Sequence, residues 1–224
     1  MQDDGRIITA PVFPLNTVLF PRMPLPLQIF EPRYKAMLTD IGRRDNRFAV
    51  ALIEEGEEVG GPALPYSVAC LAEVMQVQGL PDGRLLLMAQ GLARVRILST
   101  DSETKPYLVG SMQLWPEDPD VVSDDLVERA GRLFARYAAD VMSIAGEEAQ
   151  EITLPGDPVL LSYVLAAGLQ IDAHTRQLML ETPGPQRRLT TEIGILEQEA
   201  PLMRALASAP RPPPADDDSP FSRN

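Results

Sequence analysis

A proline-rich segment between residues 11 and 38 constrains the fold of this chain more than any other feature. It contains six prolines among large apolar residues. Proline fixes φ and has no N–H to donate, so we expect neither a regular central strand nor a long helix to run through it. The alternation over residues 24–29 predicts a short strand with one buried face. Pro32 predicts the start of a helix that ends at Gly42.

Strand patterns continue to about residue 115. Residues 48–53 are apolar on both faces, which predicts a strand buried on both sides. Two further strand-like runs, 67–78 and 84–90, flank Leu80-Pro81-Asp82-Gly83. Its Asp-Gly pair is typical of a tight hairpin, so we predict a hairpin tip there. Alternation over 93–97 and the run 107–115 predict two more strands.

After Pro119 the spacing of apolar residues changes from a period of 2 to 3.6, which predicts helices. We expect four, over about 124–146, 159–169, 172–181 and 186–207, with Asp157 and Asp172 as N-caps. Pro201 lies inside the last of them. Because proline disrupts a helix interior, we expect it to kink or split that helix.

Several of these segments resemble one family. Phe-Pro-Leu at 13–15, Val-Leu-Phe-Pro at 18–21, Leu-Pro-Leu-Gln-Ile-Phe-Glu at 25–31 and Arg-Tyr at 33–34 resemble the opening of the Lon N-terminal domain. That domain is the substrate-binding module at the front of the ATP-dependent Lon proteases. Asp-Gly-Arg at 82–84 and the segment 91–97 resemble the same family. The resemblance implies a PUA-like barrel followed by helices over roughly residues 10 to 207.

The predicted fold class is therefore α+β, with an N-terminal PUA-like mixed β-barrel followed by a C-terminal four-helix bundle. We predict an N-terminal lead over 1–8, the barrel over 9–118 and the helical subdomain over 119–207. The tail 208–224 is rich in proline and aspartate, and we predict that it is disordered because it has too little apolar surface to bury.

Charge restricts the classes of partner. The 224-residue chain has 20 Lys and Arg against 32 Asp and Glu, a net charge of −12. Such a surface opposes phosphate backbones and anionic membranes, so nucleic acid and membrane partners are not expected. No apolar run is long enough to span a bilayer, and the polar N-terminus has no secretory pattern. We therefore expect a cytoplasmic protein.

The motifs of catalysis are missing from the sequence. It contains neither a Gly-x-x-x-x-Gly-Lys-[Ser/Thr] phosphate loop nor a Gly-x-Ser-x-Gly elbow. His174 is the only histidine, and Cys70, in an apolar run, is predicted to be a core residue. The acidic run 54–58 matches no calcium loop and is predicted to be solvated. We expect no ATPase or protease domain in this chain, no enzymatic activity, no cofactor and no metal.

Binding remains as the expected activity. The resemblance implies recognition of unfolded or partly folded polypeptides, with a protease or a chaperone as a candidate partner in protein quality control. Met23, Pro24, Leu25, Leu80 and Pro81 are apolar residues at predicted bends, and we predict that they form one peptide-binding patch at an end of the barrel. They could equally plug the barrel. The alternative function is nucleic-acid binding, as PUA-like folds often perform, with the basic loop residues Arg43, Arg44 and Arg47 as its candidates.

Overall fold

The computed structural model describes residues 7–60, 63–147 and 152–208, which contain seven strands and five helices. The strands are β1 (Ile7–Leu15), β2 (Pro24–Ile29), β3 (Arg47–Gly56), β4 (Ala63–Pro65), β5 (Val68–Gly79), β6 (Leu85–Asp101) and β7 (Val109–Leu114). The helices are α1 (Pro32–Ile41), α2 (Asp124–Ala145), α3 (Pro158–Gly168), α4 (Ala173–Glu181) and α5 (Pro185–Ala207). The predicted order, strands first and then four helices, is confirmed.

The strands form one mixed sheet. Its neighbour order is β1-β7-β6-β5-β3-β4, and β2 pairs with β6 outside this path. A parallel pairing between β1 and β3 joins two members of the path, whereas all other pairs are antiparallel. This pairing closes a circuit of β1, β7, β6, β5 and β3, but β2 and β4 lie outside it. The sheet as a whole is therefore irregular and not a clear barrel. The PUA-like label stays a prediction, as do the predicted domain boundaries.

The proline-rich segment begins with a strand, contrary to our expectation. β1 contains both Pro11 and Pro14. It pairs with β7 over residues 7–11 and with β3 over residues 12–15. Each half of β1 therefore forms a ladder on one side only. A proline is tolerated in such a strand because its missing N–H can face the unpaired side.

The two halves of the chain have different cores. The core of the sheet half has two parts: Phe13, Phe48 and Leu87 pack against Tyr34 and Met37 of α1 on one face of the strands, and a second cluster of small and apolar buried residues lies on the other face. The core of the helical half lies among α2, α3 and α5 and includes these buried residues: Phe134, Tyr137, Leu161, Leu165, Leu189 and Leu196.

The predicted four-helix bundle needs correction, because α4 packs differently from the other three helices. Met179 and Leu180 of α4 pack with Val18, Phe20 and Leu52 of the sheet half. The bundle core is therefore built from three helices, and α4 lies between that core and the sheet. α5 continues through Pro201 as one helix, so Pro201 does not split it, whereas the kink that we gave as the other expected effect stays a prediction.

A buried ionic network fastens the sheet to the helices. Glu117 pairs through one carboxylate oxygen with Arg94 Nε of β6 at 2.9 Å and through the other with Arg188 Nη2 of α5 at 2.7 Å. The Tyr163 hydroxyl of α3 also donates to Glu117. Both guanidinium groups are almost fully buried.

Carbonyl groups occupy the remaining donors of Arg94. Its two terminal nitrogens donate to the carbonyl oxygens of Leu180, Thr182, Pro116 and Pro183, at 2.8–3.0 Å. The four N–H groups on these two nitrogens thus have carbonyl acceptors, whereas Nε contacts Glu117 as an ion pair without a hydrogen bond. Because the acceptors belong to the end of α4 and to the segment after β7, Arg94 fixes the position of α4 against the sheet.

Candidate functional site

A tight turn holds the predicted segment Met23-Pro24-Leu25 against β6. Arg22 adopts a left-handed conformation with φ of 69°, and its N–H donates to the Gly91 carbonyl at 2.8 Å. The Gly91 N–H donates in return to the Met23 carbonyl at 3.0 Å. A Cβ on Gly91 would lie 2.3 Å from the Phe20 carbonyl oxygen, so only glycine permits this close approach.

The side chains of this segment are divided between core and surface. Met23 and Leu25 are half-buried and pack against the sheet core, whereas Pro24 is exposed. At the hairpin tip, Leu80 is half-buried and Pro81 is exposed. A positive φ of 80° at Gly83 and the 3.0 Å bond from its N–H to the Leu80 carbonyl close the predicted turn.

The two predicted segments do not form one patch. Leu25 pairs with Ala89, whereas Leu85, next to the tip, pairs with Ile29 at the other end of β2. Four residue steps along β6, about 13 Å, separate these pairs. The prediction of a single patch is therefore wrong, because a continuous ladder places the segments at its opposite ends. Their role in peptide binding remains a prediction.

A three-stranded arm connects these two ends. It consists of residues 24–29 of β2, 85–90 of β6 and 74–79 of β5. The register aligns side chains in cross-strand rows. Pro26, Met88 and Gln76 form one row, and Gln28, Leu86 and Gln78 form the next. These six residues share the outer face of the arm, since alternate residues of each strand face the same side.

A shallow groove of about 520 Å³ follows this outer face. It is lined by Pro26, Leu27, Gln28, Gln76, Gln78, Leu86, Leu87 and Met88, none of which carries a charge. Leu86 is 41% exposed and Met88 39%. Beside this face, Met75 of β5 is 58% exposed, and Val77, which faces the opposite side of the arm, is 47% exposed. Grouped exposed apolar residues of this kind mark interaction surfaces in soluble proteins.

The sequence signal for this surface is the run 85–88, which we predicted as part of a strand but not as part of a binding surface. Its four consecutive apolar residues place apolar side chains on both faces of a strand. Leu87 is buried against the sheet core, whereas Leu86 and Met88 point to the other face. A run that is apolar on both faces is typical of a strand that is covered on both sides. In this arm only the face of Leu87 packs against the sheet core.

A second cavity lies between the sheet and α3. It has a volume of about 420 Å³ and is lined mainly by apolar groups around Trp115. Three of its polar members, Arg94, Glu117 and Tyr163, contact one another in the ionic network. The charged residues Arg22 and Asp157 also line the cavity but lie outside that network. The cavity adjoins the joint between the two halves.

The other polar candidates have structural roles or are solvated. Cys70 is fully buried, and burial raises the pKa of its thiol to about 12, so it is an inert core residue as predicted. The exposed His174 ring nitrogen Nδ1 lies 3.1 Å from the Tyr66 hydroxyl. Glu58 accepts the Asn16 N–H at 2.8 Å, which attaches the acidic loop to the end of β1. Within the described ranges, no three His, Cys, Asp or Glu side chains group closely enough to hold a metal ion.

The basic loop is balanced by acids. Arg44 and Arg47 line a cavity of about 310 Å³ together with Asp40, Asp45 and Asp101. In the same cavity, Lys105 is paired with Asp40 at 2.9 Å. Three cations and three anions therefore face one another, so the cavity provides no positive surface for a phosphate backbone. Among the residues that the structure describes, no helix has the length and apolar content needed to cross a membrane.

Comparison with solved structures identifies the fold. A Lon N-terminal domain protein from Xanthomonas campestris superimposes with a TM-score of 0.64 at 23% identity, covering 84% of this chain and 98% of that one. The N-terminal domain of a Mycobacterium avium complex Lon protease gives a TM-score of 0.61 at 16% identity, covering 85% and 98%. This chain thus has the Lon N-terminal domain fold.

Sequence comparison gives the same family. The chain is 30% identical over 187 residues to a Lon protease of Desulfovibrio desulfuricans and 28% identical over 193 residues to one of Elusimicrobium minutum. These alignments cover 81% and 84% of this chain but only 21% and 23% of the relatives. A sequence profile of the ATP-dependent protease La (LON) substrate-binding domain matches residues 9–198. The chain belongs to this family of Lon substrate-binding domains.

Proposed function

We propose that the protein binds non-native or extended polypeptide segments, without catalysis, on the outer face of the three-stranded arm. The observation that carries this proposal is the uncharged groove of about 520 Å³ in a chain with a net charge of −12. A surface that excludes charge over its whole length favours apolar and amide groups. Unfolded polypeptides expose both kinds of group, whereas folded proteins bury much of their apolar surface.

The groove residues suit clients of varied sequence. Met88 is unbranched and polarizable, so it adapts to side chains of different shape. Gln76 and Gln78 each offer an amide that can donate to and accept from a peptide backbone. Because the groove is small and open, we expect weak binding, with a Kd on the order of 10⁻⁴ to 10⁻⁵ M. Such affinity allows rapid release of clients.

The five residues that we predicted from the sequence flank this groove. Pro24 and Leu25 lie at one end of the arm, and Leu80 and Pro81 lie at the other. In this proposal they mark the two ends of the client segment that the arm accommodates. Proline at both ends restricts the local backbone, so less conformational entropy is lost when a client binds.

The biological setting follows from the family. The relatives are named Lon protease, and the matched family is described as the substrate-binding domain of that enzyme. We propose that this chain performs the same recognition step in cytoplasmic protein quality control, as an adaptor or chaperone-like factor. A protease or chaperone that processes the bound client is its candidate partner. ATP hydrolysis and proteolysis are not part of this proposal.

A charge in the groove tests the proposal. Met88→Asp places a carboxylate among apolar groups, where a bound client would desolvate it. We expect affinity for an unfolded, alkylated test protein to fall about tenfold or more, measured by fluorescence anisotropy. Val121→Asp is the matched control, because Val121 is 91% exposed and lies in the segment before α2. Equal binding by the two folded variants would exclude the groove as the site.

A further inference from the structure

We propose that the free edge of β5, residues 75–79, accepts the client backbone as an additional β-strand. This inference rests on the proposed function and adds a docking mode to it. The client would bind chiefly through main-chain hydrogen bonds, with the groove beside the edge receiving alternate side chains. Strand addition of this kind tolerates many sequences, because every residue except proline offers the same backbone groups.

The edge is open over a defined length. β3 covers β5 only where residues 47–50 pair with residues 70–73. The Val74 N–H donates to the Asn46 carbonyl at 2.9 Å, and this bond ends the contact. Met75 lies at a β-bulge and has no partner in β6. From Gln76 to Gly79, β5 pairs with β6 on one side, and no strand in the described part of the chain pairs with it on the other.

The hydrogen-bond pattern shows which groups face outward. The Leu80 N–H donates to the Arg84 carbonyl at 2.8 Å, across the last pair of the β5–β6 hairpin. Alternate residues of an antiparallel strand direct their N–H and C=O groups to opposite sides. Gln78 and Gln76 therefore bond to β6, whereas Val77 and Gly79 present their N–H and C=O groups at the open edge. These groups are spaced to pair with an extended backbone.

The opposite edge of the arm is closed to such pairing. The bond from the Gly91 N–H to the Met23 carbonyl fixes the alternation in β2. The backbone N–H and C=O groups of Leu25, Leu27 and Ile29 then point to β6. Those of Pro24, Pro26 and Gln28 point away from β6, to the free edge of β2. Two of these three positions have no N–H. Proline on an edge strand is a known protection against unwanted pairing, so the arm has one protected edge and one unprotected edge.

The unprotected edge also lacks the charges that usually guard an exposed strand. Residues 74–81 contain no charged side chain, although 23% of the chain is charged. Met75 and Val77 add exposed apolar surface beside the open backbone groups. An uncharged, exposed, proline-free edge is complementary to an uncharged extended segment, the form in which strand-forming regions of unfolded proteins occur.

A proline on the open edge is the first test. Val77→Pro removes an N–H that makes no bond to β6, so the hairpin should remain folded, as β2 does with its two prolines. Val77→Thr is the matched control, because it has a similar shape and keeps the N–H. The probe is a fluorescein-labelled ten-residue peptide of alternating valine and threonine with a lysine at each end. We expect Val77→Pro to lose about tenfold or more in affinity and Val77→Thr to lose less than threefold.

Two measurements on the unmodified protein complete the test. A version of the probe that is N-methylated on every second residue cannot donate along one edge, and we expect its binding to be lost. Amide hydrogen exchange should be fast at Val77 and Gly79 in the free protein and slow when the unmethylated probe is bound.

The possible outcomes separate this inference from the proposed function. If Val77→Pro and the methylated probe bind as well as their controls while client binding persists, the edge is not the docking site and the proposed function stands. If the unmodified protein binds no unfolded chain, both fail. Concentration-dependent dimerisation that Val77→Pro abolishes would assign the edge to a second copy of this chain and overturn the inference.

Discussion

Replacing Glu117 by alanine should lower the free energy of unfolding, because Glu117 joins the sheet to the helices. Its carboxylate is the counter-charge to two guanidinium groups that are 1% and 0% exposed, those of Arg94 and Arg188. In Glu117→Ala both cations stay buried and repel each other. Breaking a buried ion pair by removing one partner costs about 3–5 kcal/mol, because the remaining charge is uncompensated. For a chain of this size that corresponds to a fall in Tm of roughly 6–20 °C.

A surface pair provides the control for this prediction. Glu197 pairs with Arg129, and both side chains are about half exposed. Glu197→Ala should cost no more than about 1 kcal/mol, since exposed pairs are solvated and screened. Urea unfolding of both variants, followed by circular dichroism, gives the two free energies of unfolding. If Glu117→Ala is no less stable than Glu197→Ala, the network does not hold the halves together.

Further predictions concern buried groups and charge. Burial raises the pKa of Glu192 well above its ordinary value. The contribution of Glu192 to the stability of the protein is therefore complete below the ordinary pKa. It is lost as the pH rises toward the raised pKa, because the buried carboxyl group then ionises. Glu192→Gln should therefore stabilise the protein more at pH 8 than at pH 5 in urea titrations, with Glu199→Gln as the comparison variant, and an equal effect at the two pH values would refute the prediction. Cys70 should react with a thiol reagent only when the protein unfolds, so a fast reaction of the native protein would refute its burial. Single-stranded RNA should bind with a Kd weaker than about 10⁻⁶ M at physiological salt, and tighter binding would favour the nucleic-acid alternative.

The sequence predicted the local elements of this fold well. Pro32 and Gly42 bound α1, and Asp157 and Asp172 accept the capping bonds of α3 and α4, as expected. These signals succeed because capping and proline geometry depend on neighbouring residues only. The strand through Pro11 and Pro14 was missed because its tolerance depends on which side of β1 is paired, a property of the tertiary structure.

The candidate site was predicted less well for a similar reason. Apolar residues at bends directed attention to Met23 and Leu80, both of which are half-buried. The exposed surface lies instead in the strands between them, where Leu86 and Met88 face outward. Whether a strand that is apolar on both faces is covered depends on how far its hairpin extends past the core. That distance is set by the packing of α1 and β2, which periodicity does not reveal.

The central claim, that clients bind on the arm, is tested most directly by methyl NMR of methionine. Met75 and Met88 lie on the arm, whereas Met142 and Met203 lie on α2 and α5. The protein labelled with ¹³C at its methionine methyl groups is titrated with an unfolded, alkylated test protein. We predict that the Met75 and Met88 resonances shift or broaden with increasing client while those of Met142 and Met203 stay unchanged. Changes confined to Met142 and Met203, or none at saturating client, would contradict the account.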